Sequence, residues 1–295
     1  MLDIKIESFL CVCKHKSYTK ASEELCITQP AVTQHVQSLE KHYNCKMLEY
    51  KNKALKLTKA GELFYRYAVN LKGIESLMEK ELIEITKKTN TLKFATTLTI
   101  GEFTIAPMLG DFIREFSEYD ITMYVDNTEK VLTMLKKGEI NFAIVEGLFN
   151  KNDYESKLYK VANFILISPT NHPLLMQNQV FLNDLKNETI IVREKGSGSR
   201  EVLERGLFDK NYTLDNFKNI IEIGNVNVMK KMVEGNIGLS FMYEDAAISE
   251  INKGELAQIK LCDFILQREF NFIYLKNQTT EKDLNKFFSF FLRKL

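Results

Sequence analysis

The chain has 295 residues, 45% hydrophobic and 27% charged, which is the balance of a globular protein large enough for two domains. Its 40 Lys+Arg and 39 Asp+Glu leave a net charge of +1, so no global basic excess marks a nucleic-acid binder and no acidic excess marks a solvating tail. The start Met1-Leu2-Asp3-Ile4-Lys5-Ile6-Glu7 carries acids where a signal peptide needs bases, and no apolar run approaches the roughly 18–20 residues that span a bilayer, so secretion and membrane insertion are not expected and a cytoplasmic location is.

The charge is unevenly placed. Residues 1–90 hold 15 Lys+Arg and 11 Asp+Glu, whereas the remainder holds 25 and 28, so a basic head precedes an acidic body. Four of the five cysteines, Cys11, Cys13, Cys26 and Cys45, also crowd into the head, unlike a disulfide framework. Cys11-x-Cys13-x-His15 resembles a metal spacing, but residues two apart on a helix point away from each other. Free, half-buried thiols and no metal are expected there.

Ile4, Phe9, Leu10 and Cys13 fall at helical spacing and predict a first helix over 4–14. Thr19 is the expected N-cap of a second, carrying Ala21, Ser22 and Leu25. Thr28 or Gln29 caps a third, with Pro30 in its first turn, where a missing N–H costs nothing. Val32, Val36, Leu39 and Tyr43 form the apolar face of that third helix, and Thr33, Gln34, Gln37 and Lys41 the polar one. Two short helices of which the second presents Gln and Thr near its start fit a helix-turn-helix with a recognition helix in a major groove, where Gln pairs with adenine and Thr meets a thymine methyl. An ordinary helical hairpin with a polar face has the same periodicity. Residues 51–58 then alternate polar and apolar, as a β-hairpin wing with Lys51, Lys53 and Lys56 facing phosphates, and Thr58 caps a long helix.

Phe9, Ser17-Tyr18-Thr19, Ala21, Leu25, Thr28-Gln29-Pro30-Ala31-Val32-Thr33, Leu39-Glu40 and Leu57-Thr58-Lys59-Ala60-Gly61 together resemble the N-terminal signature of LysR-type transcriptional regulators. The resemblance implies a winged helix-turn-helix that binds double-stranded DNA as a homodimer or homotetramer, with a C-terminal domain sensing a small molecule. The expected DNA contacts are Ser17, Thr19, Thr28, Gln29, Pro30, Ala31, Thr33, Gln34, Lys51 and Lys53. Two positions depart from the family: Asn44 stands for its usual Gly, and Leu48-Glu49-Tyr50 for its usual Phe-x-Arg, which leaves that Arg's phosphate contact to the neighbouring lysines.

Phe64, Tyr67, Leu71, Ile74, Met78 and Ile85 form a heptad-like seam, interrupted at Glu81, on the long helix. A long helix with one apolar stripe needs a partner to cover it, and self-association is expected. The domains are therefore 1–59, a winged helix-turn-helix; 60–90, a linker and dimerisation helix; and 91–295, an effector-binding domain.

Beyond residue 91 strand-like segments at 92–97, 121–126, 141–145, 161–168, 189–193, 219–223, 238–242 and 270–275 alternate with helix-like ones at 103–117, 129–137, 199–210, 226–235, 243–252 and 280–293. Such alternation predicts parallel sheets with helical crossovers and resembles the two-lobed periplasmic-binding-protein-like α/β fold, with lobe I at 91–163 and 268–295 and lobe II at 164–267. Ligands in such sheets bind beyond the strand ends. Four segments meet there: Thr96-Thr97-Leu98-Thr99-Ile100-Gly101, Asn127-Thr128, Val145-Glu146-Gly147 and Gly196-Ser197-Gly198-Ser199-Arg200-Glu201. Helix starts lined with hydroxyls suit a small anion. The expected contacts are Thr97, Thr99, Ile100, Asn127, Thr128, Glu146, Ser197, Gly198 and Ser199. Thr-Thr-x-Thr at the first strand end and Ser197 resemble the sulfur-metabolism regulators of the family, which implies Thr97, Thr99 and Ser197 as ligand contacts. Glu146 stands where some of those members have Thr; a buried acid repels a simple oxyanion and suits an effector with an amino group beside its acid. Organic acids, amino acids and inorganic oxyanions all remain candidates.

Enzyme motifs are missing. There is no Gly-x-x-x-x-Gly-Lys-Ser/Thr, Gly196 and Gly198 lack the third glycine of a dinucleotide fingerprint, and there is no His-Glu-x-x-His among the four histidines and no Gly-x-Ser-x-Gly. No enzyme activity and no cofactor are expected. The alternatives are a stand-alone two-lobed solute-binding protein without a transcriptional role and a winged-helix protein whose body makes only protein contacts.

Overall fold

Asp3 starts helix α1 (Ile4–His15) by accepting from the Lys5 N–H, and Lys16, in the left-handed region at φ 51°, ends it. The extended backbone at Ser17 then makes this residue, not Thr19, the cap of α2 (Tyr18–Glu24): its side chain accepts from the Lys20 N–H, while Thr19 sits inside the first turn. Thr28 caps α3 (Gln29–His42) by accepting from the Ala31 N–H, with Pro30 in the first turn. Phe9, Val12, Ala21, Val32, Val36 and Leu39 fill the core between these helices. Tyr43, expected on that buried face, falls just past the helix and is exposed. Asn44 follows at φ 49°, the left-handed turn that Asn tolerates in place of Gly.

β1 (Leu48–Lys51) and β2 (Ala54–Leu57) pair antiparallel as a hairpin, Leu48 opposite Leu57. Thr58 caps α4 (Lys59–Lys87), accepting from the Gly61 N–H at 3.0 Å. Gly61 is required, because a Cβ there would lie 1.9 Å from the Met47 carbonyl oxygen. Phe64, expected in the helix seam, packs edge-on against Phe9 at 5.1 Å and belongs to the head's own core. Ile74 is half-buried. Tyr67, Leu71, Met78 and Ile85 are 62%, 49%, 46% and 75% exposed, so most of the stripe stays uncovered within one chain.

The remaining elements are β3 (Thr91–Thr97), α5 (Ala106–Glu115), β4 (Asp120–Asp126), α6 (Thr128–Lys136), β5 (Phe142–Val145), β6 (Tyr154–Ser168), β7 (Thr189–Val192), α7 (Gly198–Phe208), β8 (Asn219–Glu222), α8 (Val226–Glu234), β9 (Leu239–Tyr243), α9 (Glu244–Asn252), β10 (Ala257–Ile259), β11 (Leu266–Leu275) and α10 (Glu281–Arg293). They form a nine-stranded sheet in the order β4-β3-β5-β11-β6-β9-β7-β8, with β10 on β6. β3 runs parallel to β4 and β5, and β7 parallel to β8 and β9. The sheet is nevertheless mixed rather than parallel throughout: β11 is antiparallel to β5 and β6 to β9, because these two long strands carry the chain back between the two parallel groups. Both start earlier than their apolar runs, since their first halves alternate in burial. The helix expected at 103–117 begins as a π-turn, Ile100–Ile105, before α5.

Beneath one group lies an aromatic core in which Phe94 stacks on Phe142 and Phe142 on Phe272 at 4.9 and 4.4 Å, and Phe112 stacks on Phe291 at 4.8 Å. Burying each such ring contributes about 1.5–3 kcal/mol. Ile165, Ile167, Ile191, Met229, Val233 and Met242 form a second cluster under α8 and α9.

The structure is a computed structural model that describes every residue except Met1, Asn52, Lys53, Lys88, Thr89, Gly147 and residues 277–280, and for Glu84, Lys87 and Glu281 the backbone alone. The chain divides into two compact units, residues 1–88 with 134–139 and 275–278, and residues 89–133 with 140–274 and 279–295. Among the described residues no helix is long and apolar enough to cross a membrane.

Candidate functional site

At the start of α3, Gln29, Pro30 and Gln34 are exposed, and Ala31 and Thr33 half-buried. Gln29 Nε2 donates to Thr33 Oγ1 at 3.0 Å and Thr33 Oγ1 to the Gln29 carbonyl at 3.1 Å, which orders the amide on the first turn. Ser17 and Thr28 spend their hydroxyl oxygens on helix caps, leaving their hydroxyl protons available; Thr19 is exposed. Lys51 and Lys56 are exposed on the hairpin, while Lys53 lies outside the described residues. A helix N-terminus with ordered amides beside cationic side chains can read base edges and hold phosphates.

The sequence reading gave Glu40 no role. Its buried carboxylate accepts from the Met47 N–H at 2.9 Å, the Leu48 N–H at 3.3 Å and Lys46 Nζ at 2.7 Å, tying the end of α3 to the hairpin. Burial opposes its charge, yet Lys46 and the two backbone donors hold the carboxyl below its usual range. Three acceptor contacts from one buried acid are visible only once the fold brings residues 40 and 46–48 together.

In the second unit the strand ends place the expected residues side by side. Thr97, ending β3, donates from Oγ1 to the Glu146 carboxylate, and Thr128, opening α6, donates to the Glu146 carbonyl at 3.3 Å. A Cβ on Gly198 would lie 2.5 Å from Thr128 Oγ1 and 2.9 Å from the Glu146 carbonyl oxygen, so the start of α7 sits directly against the start of α6 and the end of β5. Glycine is what permits that approach. Ser197 caps α7 by position but not by a side-chain bond; its Oγ lies 3.0 Å from Ser199 Oγ. Thr99 is buried before the π-turn, likewise without capping it, and Ile100 is buried and apolar. Asn127 is committed to a cap, accepting from the Lys130 N–H at 3.0 Å. Gly147 lies outside the described residues.

Glu146 is the electrostatic centre. Burial pushes its carboxyl up to about 7, against the Arg193 charge, which pulls it down. Arg193, just past the end of β7, is itself buried and forks onto Glu194 at 2.8 and 3.0 Å. Tyr243 ends β9 with a buried hydroxyl that has no hydrogen-bond partner among the described residues, and Thr96 Oγ1 is in the same state. Burial, reinforced by the Glu146 charge, holds the Tyr243 phenol well above its usual range. Arg193, Tyr243 and Thr96 were absent from the expected contacts. Their signal was position alone, since each stands at or next to the end of a predicted strand. Hydroxyls, a carboxyl that burial keeps protonated up to about 7, and helix-start N–H groups together can bind an anion.

Two family models match the chain: the bacterial regulatory helix-turn-helix protein of the lysR family over residues 5–62, and the LysR substrate binding domain over residues 86–295. Among curated relatives, the HTH-type transcriptional regulator CysL of Bacillus subtilis is 28% identical over 285 residues, 95% of this chain and 93% of that protein. The CcmR regulatory domain of Synechocystis, solved in complex with 2-PG, superposes at a TM-score of 0.62 with 21% identity over 70% of this chain and 97% of that one. Full-length OxyR of Pseudomonas aeruginosa superposes at 0.60 with 16% identity over 99% of both chains.

Proposed function

The chain belongs to the LysR family of bacterial transcriptional regulators, and from that premise we propose how its parts divide the work. It is a DNA-binding regulator with an effector-binding domain, which leaves the stand-alone solute-binding alternative without support. Residues 1–59 read an operator through Gln29, Pro30, Thr33 and Gln34, with Ser17, Thr19, Thr28, Ala31, Lys51 and Lys53 beside them on the backbone. Residues 60–90 join copies into a homodimer or homotetramer through the uncovered stripe at Tyr67, Leu71, Met78 and Ile85. Residues 91–295 hold a small anionic metabolite between two lobes, 91–163 with 268–295 and 164–267. The protein acts in the cytoplasm, where its DNA is, and by binding rather than catalysis.

The observation that carries the effector reading is the meeting of Thr97, Thr128, Glu146 and Gly198 at the ends of four elements. CcmR, which shares the fold, was solved with 2-PG in its regulatory domain. Here Glu146 shifts the preference toward an effector carrying an amino group beside its acid: the ammonium meets Glu146 while the acid takes Thr99, Ser197 and the first N–H groups of α7. A thermal-shift screen of small anions and amino acids against the full chain tests this, followed by calorimetry on Thr97→Ala. A ligand that raises the melting temperature of the wild type equally in Thr97→Ala would place the pocket elsewhere. Binding to operator against sequence-scrambled DNA checks the head, since electrostatic attraction alone does not distinguish the two.

A further inference from the structure

The function above leaves one cluster of the head unused. Cys11 and His15 stand one turn apart on α1, four residues rather than two, and so share a face. Glu24, the last residue of α2, reaches that face. One ligand atom from each of the three lies within 4.8 Å of the others. Glu24 Oε2 is 2.5 Å from His15 Nε2, and both Glu24 oxygens receive Lys14 Nζ, at 2.8 and 2.7 Å. The Cys11 sulfur is buried, makes a long contact to the Ala21 carbonyl at 3.7 Å and also interacts with the Glu24 carboxylate. Cys13 packs against the head's core and is not part of the group.

We propose that Cys11, His15 and Glu24 form a site for a thiophilic divalent cation, zinc foremost, that clamps α1 to the end of α2 just before the turn into the reading helix. A thiolate, an imidazole and a carboxylate are the three donor types zinc prefers, and a sulfur donor selects against magnesium and calcium. Bonds of about 2.0–2.3 Å in tetrahedral array put ligand atoms roughly 3.3–3.8 Å apart. The His15–Glu24 pair must open and the sulfur close in by about 1 Å each, a movement for side-chain rotation. The fourth position faces solvent, since Glu24 is exposed, and takes water. Binding replaces the S–H bond by an S–metal bond and releases the thiol proton to solvent, so affinity rises with pH. Lys14 is the competitor: its ammonium holds the same carboxylate and must swing out, which its exposure allows.

Cobalt(II) titration of the full-length protein tests the site, because a thiolate ligand gives a charge-transfer absorption that oxygen and nitrogen ligands alone do not. The expected result is one ion per chain, displaced by zinc, with the thiolate band present in wild type, Cys13→Ser and Cys26→Ser and absent in Cys11→Ser. Because Cys11 is buried, the surface variants His15→Gln and Glu24→Gln provide a check that leaves the core intact. Each should weaken binding by at least about tenfold, and Lys14→Gln should tighten it severalfold. A wild type without the band at saturating cobalt overturns the proposal. So does a band that survives in Cys11→Ser, or affinity unchanged in both surface variants.

Discussion

The head and the effector-binding body keep their candidate polar groups in opposite ways. The head's amides, Gln29 and Gln34, stand exposed on the first half of α3, and Gln29 is ordered by Thr33, four residues on. The body's hydroxyls and acid, Thr97, Thr128, Ser197 and Glu146, are buried and meet across 49 and 18 residues of chain. An exposed reader loses little when its ligand is absent, because water satisfies its amides. A buried polar cluster must satisfy itself, and the Thr96 and Tyr243 hydroxyls, without a partner among the described residues, mark where it does not. The contrast teaches that substitutions in the head should change which DNA is chosen, whereas substitutions in the buried cluster should change both ligand affinity and the state of the body.

The largest effect expected lies on neither surface. Leu71→Glu with Met78→Glu puts like charges into the proposed interface between two copies of α4, and should convert the oligomer to monomers and remove most operator affinity. A linked second head is worth about 10²–10⁴ in avidity. Sedimentation that still shows an oligomer would take α4 out of the interface.

Next comes Gly198→Val. With even a Cβ at 2.5 Å from Thr128 Oγ1, the start of α7 cannot keep its approach to α6, and overpacking of this kind costs about 1–3 kcal/mol. Effector binding should fall by at least tenfold while effector-free DNA binding persists. If DNA binding fell in step, the two regions would not be separable in the way their polar groups indicate.

Secondary-structure placement was legible in the sequence for both regions, and the cleft only in part. Apolar periodicity and turn residues locate β3, β5 and β7 to within a residue or two, and strand ends then nominate Thr97, Glu146 and Ser197. The antiparallel passage of β6 and β11 is not legible, because an apolar run has no direction until its partner is known. Arg193 and Tyr243 escaped for the same reason: their importance is set by the charge interaction each has with Glu146 in the folded chain, a relation absent from either local sequence. In the head the one misplaced cap, Thr19 for Ser17, turned on the left-handed Lys16, a conformation that lysine rarely takes.

Smaller substitutions, in the body and in the head, sharpen the contrast directly. Thr99→Ala or Ser197→Ala should remove one hydrogen bond to a charged group, about 1.5–3 kcal/mol, and weaken effector binding tenfold to a hundredfold without changing operator choice. Gln29→Ala should cost about 1–3 kcal/mol on the operator and relax its sequence preference, leaving effector affinity unchanged in calorimetry. Lys53→Ala, by contrast, should weaken all DNA alike and flatten the salt dependence.

The smallest expected effect separates the regions by the sign of a pH response. Glu146 is raised from its ordinary 4.5 to about 7 by burial, so the folded chain keeps its proton where the unfolded chain has released it. Its contribution to stability is therefore complete below 4.5 and lost as pH rises toward 7, with Arg193 partly offsetting the loss. Glu40 is lowered from the same 4.5, so it contributes in full above that value and loses its contribution as pH falls through its folded value. Denaturant midpoints followed across this range should decline from acid to neutral pH less steeply in Glu146→Gln than in wild type, because Gln has no proton to lose. Glu40→Gln should leave that decline in place and lower the whole curve, since the Lys46 ammonium then lacks its charged partner. An acid-to-neutral slope identical in wild type and Glu146→Gln would mean that Glu146 is ionised in the folded body, and that an ammonium-bearing effector meets a charge already formed rather than one it helps to create.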